Sequence, residues 1–285
     1  MSIQHIPVRV MGPGSQPEEE QKLSYISMPS DMAIYKAPYF DDGSAISELP
    51  GALEAVGWLR AALAEARPGK PSVLADLSEL DANSRELVNQ VLGEGEVSIT
   101  FDGNQVAKTQ ESVLAGLWRT MYFDGDKIVA DLLEVGELPH VFHHQPTNPQ
   151  PIDTTEPADP AEIVNALPIL SELKARVTEY EAGGEAHSIN LSLLPLSEPE
   201  LEFLDERLGR GPIDVLSRAY GKCQIISTAT PNVWWVRYYN SMGTLILNSL
   251  EIVDVPQVVR AAAEDLVDSA ERLEKILAPY LPDVA

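Results

Sequence analysis

Three histidines stand close together at His140, His143 and His144, and neutral imidazoles at such density can bind nickel or zinc. His143 and His144 are adjacent and lead into a proline-rich stretch rather than a helix, so a solvated loop is the competing reading. Cys223 is the single cysteine, which rules out a disulfide or a thiolate cluster built from this chain alone. A nucleophilic thiol needs a partner base, and no histidine lies near KCQIIS, so Cys223 reads as a buried, inert thiol. GPGSQP (Gly12 to Pro17) lacks the GK[ST] ending and the strand–turn–helix setting of a phosphate loop. GxSxG, HExxH and CxxC are absent, and no carboxylate pair stands out for acid–base work. No active site is specified, so neither enzyme activity nor a cofactor is expected. The remaining chemistry is aromatic. LWRTMYFD and WWVRYYN carry Trp118, Arg119, Tyr122, Trp234, Trp235, Arg237, Tyr239 and Asn240, residue types that anchor protein interfaces. In a strand these alternate faces, so one set is core and the other is a candidate partner-binding surface. If helices cover both faces, all are core.

The elements that must position these residues follow from periodicity. A helix is expected from about Gly51 to Ala66 on the stripe Leu53, Val56, Leu59, Leu63, stopped by Pro68 and Gly69. A strand follows over Ser72–Leu77, then a helix capped by Asp81 that runs to Leu92, with Gly93 as a left-handed C-cap. Strand-like runs cover Glu96–Phe101, Gln105–Glu111, Leu117–Phe123 and Lys127–Val135, with a hairpin signal at Asp124-Gly125-Asp126. Residues 143–160 form a proline-rich linker that closes on Asp159, Pro160 and Glu162, read as the start of a helix with its stripe through Leu167, Leu170 and Leu173. Next come a strand over His187–Leu194, a helix capped by Ser197 with Glu200, strands from Ile213, over Lys222–Thr228, Val233–Tyr239 and Thr244–Val253, and a helix over Pro256–Leu277. The domain plan is an irregular segment 1–50 with a short strand near Val8–Val10, a unit 51–142, the linker 143–160, and a unit 161–285.

The order of elements repeats. Leu92-Gly93-Glu94-Gly95 falls on Leu208-Gly209-Arg210-Gly211 at an offset of 116, while Trp118 falls on Trp235 and Leu133-Glu134 on Leu250-Glu251 at 117. One residue is therefore placed between about Gly95 and Trp118. The fold class is α+β: two tandem copies of a helix–strand–helix plus antiparallel meander unit, with helices packed on the sheet.

Composition bounds the partners. With 20 Lys and Arg against 44 Asp and Glu, the formal net charge of -24 opposes binding to nucleic acid and to anionic membrane surfaces. The N-terminus has no apolar signal-peptide core, and no run of about 18 apolar residues occurs. A soluble cytoplasmic protein without membrane insertion is expected.

The run STATPNVWWVRYYNSMGTLILNSLEIVDVPQVV (Ser227 to Val259) resembles the C-terminal region of the HupH/HyaF hydrogenase expression/formation proteins. LGEGEV (Leu92 to Val97), TQES with GLWR (Thr109 to Ser112, Gly116 to Arg119), GPGSQP and MPSDM (Met28 to Met32) are similar to the same family. The resemblance implies an accessory factor, an assembly chaperone for [NiFe] uptake hydrogenases. It would act on the iron–sulfur small-subunit precursor before twin-arginine export, with other hydrogenase accessory proteins as further partners. It supplies no catalytic residues to carry over. The alternative is a nickel- or iron-handling protein that uses the histidines near residue 140.

Overall fold

The structure is a computed structural model that describes residues 48–144, 146, 148–218 and 222–278. The N-terminal readings, including the strand near Val8–Val10, lie outside the described residues.

The first half runs α1 (Pro50–Glu65), β1 (Val73–Asp76), α2 (Ala82–Leu92), β2 (Val97–Asp102), β3 (Val106–Glu111), β4 (Leu117–Asp124) and β5 (Lys127–Val135), then a short 3-10 turn, His140–His143. The second runs α3 (Ala166–Glu179), β6 (His187–Asn190), α4 (Glu198–Leu208), β7 (Arg210–Ser217), β8 (Lys222–Thr228), β9 (Val233–Tyr239), β10 (Leu245–Ile252) and α5 (Ala263–Leu277). The fold is α+β. Among the described residues, five helices accompany one ten-stranded sheet in the order β1-β5-β4-β3-β2-β7-β8-β9-β10-β6, with every neighbouring pair antiparallel.

Several starts are set locally. Asp81 accepts hydrogen bonds from the Asn83 and Ser84 N–H groups, both at 3.0 Å, which satisfies two free donors of α2. Glu200 accepts from the Ser197 N–H at 2.9 Å at the start of α4. The LGxG pattern serves both halves in the same way. Gly93 and Gly209 end α2 and α4 at φ of 56° and 61°. A Cβ at Gly95 would lie 2.2 Å from the Ser112 carbonyl oxygen, and one at Gly211 2.4 Å from that of Thr228. The glycines are there because the next strand's backbone crosses at contact distance.

The β2–β7 pair is the seam. Val97 faces Ser217, Ile99 faces Val215 and Phe101 faces Ile213. Shifting by 116 carries Ile99 to Val215 and Val97 to Ile213, so this register is unchanged when the halves are exchanged. Successive strand residues enter different cores. Trp118, Trp234 and Val236 join Ile99 and Val215 in a cluster spanning both halves. Leu117, Leu133 and Val135 instead pack under α1, α2 and α5. Val233, Trp235 and Leu250 pack under α3 and α4. One sheet face thus carries helices. The other is closed by the turns around Val141–Phe142 and Val255–Val259.

Each half sends its exit segment onto the other. Gln150 donates to the Ala229 carbonyl at 3.0 Å and Ile152 enters the core under α3 and α4. From the second half, Ala261 donates to the Glu137 carbonyl at 3.0 Å, and α5 lays Leu273 and Leu277 against α1, where Arg60 grips Glu274 at 2.7 and 2.8 Å.

Three local expectations are corrected. The Asp159–Glu162 capping signal makes an isolated turn, and α3 begins only at Ala166. Pro168 explains this: a helix continuing from residue 160 would place it in the interior, whereas in the first turn its missing N–H costs nothing. The strand at His187 ends at Asn190, whose side chain accepts from the Ser192 N–H and turns the chain into a 3-10 turn. The C-terminal helix starts at Ala263, because Arg260 is extended and bonded to Glu137 of the first half. The register of the halves is also corrected. Trp118 pairs with Glu111 and Glu134 and donates to the Gly136 carbonyl at 3.2 Å. Trp234, not Trp235, repeats this: it pairs with Ser227 and Glu251 and donates to the Val253 carbonyl at 3.0 Å. Phe123 then matches Tyr239 at 116 and Ile128 matches Leu245 at 117, so the extra residue lies in the β9–β10 turn.

Candidate functional site

The aromatic strands are mostly core. Trp118, Trp234, Trp235 and Tyr239 are buried. Trp234 and Trp235 point to opposite sheet faces because they are neighbours in one strand. The Trp235 indole N–H is satisfied by the Asn248 side-chain oxygen. In this conformation these side chains offer a partner no surface. Tyr122 is half-buried against the two-halves cluster, where burial first and then the Glu134 charge push its hydroxyl pKa upward. Arg237 lays its guanidinium 4.4 Å from the Trp235 ring centroid, and burial lowers its pKa. Lys222 stands 5.4 Å from the Tyr239 ring. Asn240 is a turn residue whose side-chain oxygen accepts from the Met242 and Thr244 N–H groups, both at 2.9 Å.

Arg119 works inside the fold. Its Nε and Nη2 donate to the two Asp131 oxygens at 2.9 and 2.8 Å, and Arg85 of α2 stands 3.9 Å from the same carboxylate. Asp131 is buried, so this fork supplies the charge that its burial requires. A second buried carboxylate, Glu134, accepts from the Thr120 hydroxyl and, at 2.6 Å, from the His140 N–H. Thr120 also bonds Thr109 at 2.9 Å. The network pins the histidine turn onto the sheet.

The histidines do come together. The His140 and His143 ring centroids are 5.4 Å apart, those of His140 and His144 5.5 Å, and His144 lies 4.9 Å from the Phe101 ring. Burial, then the charges of His140 and His143, lower the His144 pKa. Among the described residues no group of three His, Cys, Asp or Glu is arranged to hold a metal ion. Cys223 is buried, and burial pushes its thiol up to about 11, far from a reactive thiolate.

Glu111 escaped the sequence reading. It ends β3 beneath the start of α5, and its pKa rises to about 7. Burial is the main cause; bonds from the Gly116 and Val97 N–H groups oppose it, and the Glu96 and Asp265 charges reinforce it. A glutamate closing an inward-facing alternation was the available signal. Among the described residues no helix is long and apolar enough to cross a membrane.

Trp118, Trp234 and Cys223 thus belong to the core that spans both halves, while Asp131 and Glu134 and their partners knit the first half. Comparison with known proteins gives the class: the family model described as "HupH hydrogenase expression protein, C-terminal conserved region" matches residues 51–151 and again 163–280. Hydrogenase expression/formation protein HoxQ of Cupriavidus necator is 41% identical over 275 residues, 95% of this chain and 96% of that protein. HupH of Rhodobacter capsulatus is 40% identical over 96% of this chain and 97% of its own length. The hydrogenase-1 operon protein HyaF of Escherichia coli K12 is 35% identical over 94% of each. The chain belongs to the HupH/HoxQ/HyaF family of hydrogenase expression/formation proteins. A solved structure of hydrogenase expression protein HupH from Thiobacillus denitrificans is 34% identical, covering 41% of this chain and 97% of that one, with a TM-score of 0.39.

Proposed function

We propose that this protein is a cytoplasmic assembly chaperone in [NiFe] hydrogenase maturation, which binds the iron–sulfur small-subunit precursor before export and acts by binding rather than by catalysis. The observation that carries the reading is likeness along nearly the whole chain to proteins named for hydrogenase expression and formation. The net charge of -24 supports it, because an acidic carrier complements a basic export signal. We also read the halves as diverged copies of one unit. Support comes from the strand order outward from the seam, from the self-matching β2–β7 register, and from the two segments matched by one family model.

The test is genetic. In a hydrogenase-producing strain lacking this protein, small-subunit precursor should remain without its clusters while the large subunit still matures. Restoration of activity by the intact chain completes the expectation. Normal small-subunit maturation in the deletion strain would overturn the proposal.

A further inference from the structure

The two faces of the sheet are covered unequally at the seam. In the central strands β2, β3, β7 and β8 the side chains alternate. Ile99 and Val215 are buried on one face, while on the other Thr100 and Lys108 are exposed and Leu216 and Gln224 half-buried. On this second face α2 stands over β4, through Asn89 and Arg119, and α4 over β9, through Leu204 and Trp235. β4 and β9 are five strand spacings apart, about 24 Å, so the two helices leave between them a trough about 14 Å wide, room for one further segment of chain.

Arg237 lies half-buried on the α4 side of this trough. In the first half Met121 pairs with Asp131, and Arg119 supplies the fork that this buried carboxylate needs. At the same place in the second half Arg237 pairs with Asn248. An amide stands where the carboxylate was, and its oxygen is taken by the Trp235 indole N–H. The second half thus keeps an arginine here without the acid. Arg60, Arg207 and Arg260 each grip a carboxylate, whereas Arg237 grips none among the described residues. Asp205 of α4 and Asp214 of β7 act on it only at a distance, and Asp214 is held by Arg210 at 3.1 Å and Gln224 at 3.4 Å. Burial is the main influence on Arg237 and lowers its pKa, as expected of a cation short of counter-charge. Among the described residues, Ser84, Arg85 and Gln110 hold the sealed side-chain atoms that lack a partner, so the unbonded Arg237 fork opens to solvent.

The chemistry selects the ligand. One face of the guanidinium stacks on Trp235 at 4.4 Å, which fixes its plane and leaves its in-plane N–H groups for a partner. A planar fork fits a carboxylate edge to edge. A phosphate would bring a second negative charge near Asp205 and Asp214 on a chain of net charge -24, so the singly charged carboxylate is preferred. The same net charge disfavours a second copy. Small-molecule sites are enclosed, whereas this trough is open along its length, so the carboxylate arrives on a segment of chain.

We propose that Arg237 is the receptor for an aspartate or glutamate side chain on a segment of another protein that lies in the trough between α2 and α4. Arg237 is placed for this role whichever protein is the client.

The test converts the ion pair into a bond. Arg237→Lys puts an amine at the fork, and a water-soluble carbodiimide joins that amine to a carboxylate in contact with it. The full chain carrying this change is made in hydrogenase-producing cells, coupled in the lysate, and the joined peptides are sequenced by mass spectrometry. Arg60→Lys, which should couple to Glu274, controls the reaction. The expected result is an amide from position 237 to one acidic side chain of one other protein, lost when that side chain is changed to Asn or Gln. The same protein should bind Arg237→Met, which keeps an apolar stem over Trp235, at least about tenfold more weakly with an unchanged circular dichroism spectrum. Coupling only to Asp205, to Asp214 or to a second copy would overturn the site, as would no coupling at 237 while position 60 reacts. Equal affinity of wild type and Arg237→Met would overturn it as well.

Discussion

Glu111→Gln should stabilise this protein at neutral and alkaline pH, and the gain should vanish in acid. In the folded state the carboxyl titrates at about 7, against a reference value of 4.5. The difference of about 2.5 units corresponds to about 3 kcal/mol at about 1.4 kcal/mol per unit. Burial causes most of it, with the Glu96 and Asp265 charges adding to it. The sign follows from which form the fold prefers. Folding favours the protonated acid, so this group's stabilising contribution is complete below pH 4.5 and is lost as pH rises through 7. Glutamine keeps an acceptor for the Gly116 N–H and carries no charge, but its NH2 group needs a partner of its own. The expected net gain at pH 8 is therefore about 2 kcal/mol. Urea denaturation of wild type and variant at half-unit pH steps is the assay. The stability difference should grow by up to about 1.4 kcal/mol per pH unit between about 5 and 7, then level off. A difference that ignores pH, or a wild type more stable than the variant at pH 8, would refute the burial argument.

Other consequences are equally direct. Gly95→Ala and Gly211→Ala should each cost more than about 2 kcal/mol in a urea titration, because the added carbon meets a backbone carbonyl at 2.2 or 2.4 Å. Gly57→Ala, in mid-helix with nothing within 4 Å, should instead gain about 0.5–1 kcal/mol. Arg119→Ala should cost about 3–5 kcal/mol by leaving Asp131 buried without its fork, and Arg119→Met with Asp131→Leu should recover most of that; a near-neutral single variant would contradict the pairing. By NMR, the His144 ring should titrate below its reference value of 6.5 and move upward in His140→Gln/His143→Gln, and an unmoved titration would break the link between the rings.

Features governed by neighbours in sequence were legible without a structure. The Asp81 cap, the Ser197–Glu200 box and the meander strands each rest on a few adjacent residues, and each is found where expected. Features governed by distant partners were not. Extended Arg260 answers to Glu137, and α5 lies on the half to which it does not belong by sequence. Sequence alone laid Trp118 on Trp235, whereas the strand pairing and the hydrogen bonds to the Gly136 and Val253 carbonyls match it with Trp234. The aromatic strands left an exposed set and an all-core reading both open, because residue type does not report burial; with both sheet faces covered, both tryptophans of the pair are core.

The most direct measurement is calorimetric titration of the purified chain with small-subunit precursor at low and high salt, with and without the precursor's export signal. The account predicts a saturable complex that weakens as salt rises and loses affinity when the signal is removed. No binding under any of these conditions would contradict it, and binding indifferent to salt and signal would remove the electrostatic part of the account.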